Sequence, residues 1–142
     1  MINLAQDKIW RIRLAALQFF PKLSEFISQE TFQQKVEPTL IAMVVDPVFM
    51  IREESAKAII KLSQATFGEA WLRRVIEAKL NELARNERFM LRIQTIHLIN
   101  QLKDVVNADF INSFFTDHLV NLAADPVPNI RFNVSKTIGG LY

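Results

Sequence analysis

The chain has no cysteine, which excludes disulfides and thiolate metal ligands and fits a reducing compartment. Glycine and proline are scarce, three and five in 142 residues. So few breakers predict long helices joined by short links. No apolar run approaches the roughly 20 residues a membrane-spanning helix needs. The start of the chain lacks the charged-then-apolar pattern of a signal peptide. No block of like charges suggests a nucleic-acid tail. The 17 basic and 15 acidic residues nearly cancel, so the pI of 9.1 carries little weight. The expectation is a soluble protein of the cytoplasm, and also of the nucleus, with neither membrane nor nucleic acid as partner.

What the sequence does contain is a repeat. Asp46-Pro47-Val48-Phe49-Met50-Ile51-Arg52 is preceded by Asp7-Lys8-Ile9-Trp10-Arg11-Ile12-Arg13. Asn86-Glu87-Arg88-Phe89-Met90-Leu91-Arg92 and Asp125-Pro126-Val127-Pro128-Asn129-Ile130-Arg131 follow it. Arg13, Arg52, Arg92 and Arg131 lie 39, 40 and 39 residues apart, and Asp7, Asp46, Asn86 and Asp125 keep the same spacing. A period near 40 with apolar residues every three or four positions describes stacked helix pairs.

Seven helices are expected, at 8–24, 30–45, 47–65, 69–85, 88–104, 108–124 and 127–141. Residues 1–6 read as the end of a further helix. Phe32, Val36, Leu40 and Met43 mark one apolar face; Leu72, Ile76, Leu80 and Leu83 mark the equivalent one. Pro21 should kink or shorten its helix, and Pro38 should bend the next. Asp46 and Asp125 read as N-caps, with a proline at the first helical position, and Gly68 reads as a stop. The fold class is all-α, an α-solenoid of about seven antiparallel helices. It divides into a partial repeat at 1–27 and repeats at 28–66, 67–105 and 106–142. No polar cap is recognisable at either end, so a piece of a longer array is expected, with apolar end faces that favour self-association.

The Asp and Arg columns suggest an inter-repeat ladder, the guanidinium of one repeat meeting the carboxylate of the next. Asn86 lacks the charge, so its rung should be weaker. Trp10, Phe49, Phe89 and Pro128 form a second column, at the turns inside each repeat, with Arg11, Met50, Met90 and Asn129 beside them. Two readings fit them. They either plug gaps between repeats or form a protein-binding ridge, because aromatic residues dominate interface energetics. No catalytic constellation is evident. His97 and His118 lie on different helices and read as surface residues, and Glu53-Glu54 suit a helix N-terminus. No Gly-rich phosphate loop occurs. A non-enzyme without cofactor or metal is expected.

Four motifs carry a family resemblance. Asp-x-x-Trp-Arg-x-Arg at 7–13, Val-Asp-Pro-Val-Phe-x-Ile-Arg-Glu at 45–53, Phe-Gly-x-x-Trp at 67–71 and Asp-Pro-Val-x-Asn-Ile-Arg-Phe-Asn-Val at 125–134 resemble HEAT repeats. Their order resembles the C-terminal portion of the scaffold (A-type) subunits of protein phosphatase 2A. The third turn departs from the pattern, since Asn86-Glu87 replaces Asp-Pro. The resemblance implies a HEAT/armadillo-like scaffold and regulatory subunit that holds a phosphatase catalytic subunit through the turns within repeats. B-type regulatory subunits would sit on repeats outside this sequence. Carried over by motif, the contacts are Trp10 and Arg11; Val48, Phe49 and Met50; Phe89 and Met90; Pro128 and Asn129. This favours the ridge. The other class that fits is an importin-like transport or adaptor solenoid, which would read its partner through the second helices, at Asn100 or Lys57.

Overall fold

A computed structural model of the chain describes residues 1–141; Tyr142, the last residue of the expected repeat 106–142, lies outside them. The described residues contain helices and no strand. The α-helices are α1 (Trp10–Leu23), α2 (Gln29–Lys35), α3 (Glu37–Ala42), α4 (Phe49–Leu62), α5 (Gly68–Ala84), α6 (Phe89–Leu102), α7 (Ala108–Phe110), α8 (Thr116–Ala123) and α9 (Pro128–Gly139). Residues Ile2–Gln6 and Met43–Val45 are 3₁₀ turns, and Ser63–Phe67 and Ile111–Phe115 are π turns. Grouped by the sequence period, these are the seven expected helices, two of them broken. The fold is all-α, of the helical-repeat solenoid class.

Both breaks have local causes. The 30–45 stretch parts at Val36 because Pro38 has no N–H and its ring crowds the carbonyl four residues back. Pro38 therefore sits in the first turn of α3, where a proline is tolerated. The 108–124 stretch opens into a π turn. Its wider spacing puts Phe110 and Phe115, five apart, on the same side, and both are buried. Their rings meet edge-on, with centroids 5.5 Å apart. Pro21 lies in the last turn of α1, which ends two residues later at Leu23.

Two compact units divide the chain, Met1–Leu72 and Arg73–Tyr142. In the first, α1 packs along α4 and α3 packs on α4. The α1–α4 pair is parallel: Arg13 meets Asp46 at one end, and Ser24 meets Thr66 at the other. Leu17, Phe20, Phe32, Leu40, Ile51, Ile59 and Leu62 are buried here. Phe67 bridges Phe32 and Trp71, with centroids 5.1 and 4.8 Å away, and the Trp71 indole donates to Glu37 Oε2 at 2.7 Å. In the second unit, α6 runs parallel to α9, tied by Arg92 to Asp125 and by Asn100 to Thr137, and α8 packs on α9. Leu80, Leu83, Ile96, Ile99, Leu102 and Ile130 are buried there. Ile138 shares its column with Phe20, Ile59 and Ile99, yet it is exposed.

Candidate functional site

The turn inside each repeat is built the same way four times. The side chain of Asp7, Asp46, Asn86 or Asp125 accepts from the backbone N–H two residues on, at 2.8, 2.8, 3.0 and 2.9 Å. These are Asx turns. The aspartates are therefore not the helix N-caps. The caps are Ile9, Val48, Arg88 and Val127, none of which supplies a side-chain bond. Pro47 and Pro126 lie before their helices, and Pro128 occupies a first helical position. The second residue after each Asx residue, Ile9, Val48, Arg88 or Val127, is extended, and the helix starts directly after it.

Each repeat's arginine then closes its own turn. Arg13 Nη1 donates to the carbonyls of Asp7 and Lys8, and Arg52 Nη1 to those of Asp46 and Pro47. Arg92 Nη1 reaches Asn86 and Glu87, and Arg131 Nη1 reaches Asp125 and Pro126. The sequence did not reveal this self-closure. In Arg13 and Arg92 the other edge of the fork reaches the following repeat. Arg13 donates through Nε and Nη2 to both oxygens of Asp46, each at 2.9 Å. Arg92 grips Asp125 in the same way, at 2.7 and 3.1 Å. This is the bidentate geometry in which arginine binds carboxylates most strongly. The Arg92 bond holds the Asp125 carboxyl below the usual carboxylate range, against the opposing effect of burial.

This frame fixes what the first helical residues do. Trp10, Phe49, Phe89 and Pro128 each begin a second helix. In the first unit, Phe49 is 59% and Met50 43% exposed, and Val48 is half-buried beside them. Trp10 is half-buried, with the Arg11 guanidinium 4.8 Å from its ring centroid; Arg52 lies 5.7 Å from that of Phe49. In the second unit, Phe89 is 45% and Met90 55% exposed, and Pro128 and Asn129 are exposed. Asn133 Nδ2 donates to the side-chain and backbone oxygens of Asn129. Phe49, Met50, Phe89 and Met90 thus expose apolar surface on turns clamped at several points.

The second-helix residues are engaged within the chain. Lys57 pairs with Glu54 at 2.9 Å and Glu53 at 3.4 Å, and Asn100 donates to Thr137 at 2.7 Å. Among the described residues no group of three or more His, Cys, Asp or Glu could hold a metal, and no helix is long and apolar enough to cross a membrane. His118 is half-buried rather than a plain surface residue. Burial first, and Arg85 second, hold its imidazole toward the neutral form.

Helix pairs at a period near 40, with the same turn built in each, define a HEAT-like helical-repeat fold. No family model matches the chain. It is similar to the A-type regulatory subunit of protein phosphatase PP2A from Schizosaccharomyces pombe, 34% identical over 58 residues, 41% of this chain and 10% of that protein. It is also similar to the protein of the same name from Saccharomyces cerevisiae, 36% identical over 73 residues, 50% of this chain and 12% of that protein. The chain spans about a tenth of the length of these curated relatives.

Proposed function

We propose that this chain is a non-catalytic scaffold segment of a phosphatase 2A complex, with a partial repeat at 1–27 and repeats at 28–66, 67–105 and 106–142. Its intra-repeat turns hold the phosphatase catalytic subunit, and regulatory B-type subunits bind repeats outside this sequence. The observation that carries the reading is the exposed apolar pair at a clamped helix start, Phe49-Met50 and again Phe89-Met90. Rigid apolar anchors lose little entropy on binding, and buried aromatics dominate interface energies. The relatives, both named regulatory subunits of PP2A, supply the partner. Trp10 and Arg11 extend the contact at the first turn, and Val48 supports Phe49. Pro128 and Asn129 complete it at the fourth. The importin-like alternative is weaker because Lys57 and Asn100 already have partners within the chain.

The test is a pull-down of purified phosphatase 2A catalytic subunit by the 142-residue chain. The wild type should retain it. Trp10→Ala/Phe49→Ala should lose about 2 kcal/mol or more of binding, while circular dichroism shows unchanged helix content. Equal retention by the double variant would defeat the ridge assignment. Loss with Lys57→Ala and Asn100→Ala instead would favour the importin-like reading.

A further inference from the structure

The second unit carries a groove that the turn ridge does not use. Arg73 and Glu77 lie one turn apart on α5, and Arg85 follows directly after its last residue. Opposite them stand Ser113 and Phe114 of the π turn and Asp117 and His118 of α8. Together they line an open cavity of about 420 Å³. A π turn is an uncommon element, and such turns are frequent at binding sites.

The two ends of the groove differ. At one end Arg73 is built into the wall. Its Nη1 donates to Ser113 Oγ at 3.4 Å, and its guanidinium lies 5.0 and 4.8 Å from the Phe110 and Phe114 ring centroids. At the other end Arg85 is exposed, close enough to His118 to oppose its protonation. Asp117 and Glu77 pull His118 the other way but do not overcome burial and Arg85. The fixed charges balance, Arg73 and Arg85 against Glu77 and Asp117. A polyanion would meet two carboxylates, so a segment carrying both signs fits better.

We propose that this groove docks a protein segment that sets a carboxylate side chain at Arg85 and His118 and a basic side chain at Glu77 and Asp117. The carboxylate takes charge-assisted bonds from the guanidinium fork and from the imidazolium. Its arrival offsets the opposition of Arg85, so binding draws a proton onto His118. The segment therefore binds more tightly below His118's titration range than above it. A rise of one unit in the midpoint corresponds to a tenfold difference in affinity between the two extremes.

The chain has two histidines, so imidazole proton resonances test this directly, with His97 as internal control. The probe is a blocked peptide of three Glu-Ala-Ala-Ala-Lys units, compared with its Gln-for-Glu counterpart. The expected result is a saturable shift of the His118 signal and a raised midpoint with the Glu peptide only, His97 staying fixed. Arg85→Gln should abolish both effects with helix content unchanged. An unmoved His118, an undiminished response in Arg85→Gln, an equal response to the Gln peptide, or an equal response to inorganic phosphate would each overturn the proposal.

Discussion

At the scale of the residue, the arginine of each repeat is the most committed side chain. Arg92 satisfies the carbonyls of Asn86 and Glu87 and both oxygens of Asp125. Removing it leaves a largely buried carboxylate without its partner. Arg92→Ala should therefore destabilise the chain by about 3 kcal/mol, read from urea unfolding. The sign of the pH effect follows from Asp125. Its folded-state carboxyl titrates below its unfolded value, so its contribution is full above about pH 4 and is lost as pH falls through the lower folded value. In Asp125→Asn the acid-side loss of stability between pH 5 and 2 should be shallower than in the wild type, measured by urea midpoints at each pH. Thr95 is the opposite case. Its hydroxyl is buried without a hydrogen-bond partner among the described residues. Thr95→Val should stabilise by about 1 kcal/mol; a loss of that size would show that the hydroxyl is satisfied.

At the scale of the element, Gly68 decides where α5 begins. Its φ of 80° and ψ of 176° belong to a region that only glycine enters readily, and an added Cβ would meet nothing within 4 Å. Gly68→Ala should thus destabilise by about 1–3 kcal/mol through the backbone alone, visible as a lower thermal midpoint. This stop was legible in the sequence, as were the faces Phe32-Val36-Leu40-Met43 and Leu72-Ile76-Leu80-Leu83, all buried. They were legible because a 4-4-3 spacing fits the helical turn. The 107–115 stretch was not. Phe110 and Phe115 pair across a π turn, whose period no 3.6-residue pattern reveals. Asn107, without an evident role in the sequence, caps α7 by accepting from Phe110 N–H at 2.8 Å. The placement of the aspartates was misread because an Asx turn and an N-cap draw on the same residue types.

At the scale of the whole molecule, the repeat period gave both the fold class and the candidate ridge. It could not say whether Phe49 and Phe89 point inward or outward. That depends on each helix starting three residues after its Asx residue. The groove of Arg73, Arg85 and His118 had no sequence signal, because its residues come from two helices and share no motif. The ridge carries a prediction at this scale. Phe49→Ser/Phe89→Ser should reduce any self-association of the isolated chain, seen by sedimentation, while stability changes by less than about 1 kcal/mol, since both rings are exposed.

The clamps also act as a ruler. Arg13 to Asp46 and Arg92 to Asp125 both span 33 residues, although one interval is broken at a proline and the other carries a π turn. Each guanidinium is held by its own turn and closes on the next, so the helical part of the contour between them has one permitted length. A residue inserted within α4 or α9 leaves these intervals untouched. One inserted in the exposed bends near Phe26 or Val105 can be absorbed as slack. One inserted in α3 or α8 has to be taken up before the next aspartate arrives, or the rung opens. Deep insertional scanning of the two intervals should therefore trace the same pattern of tolerance twice.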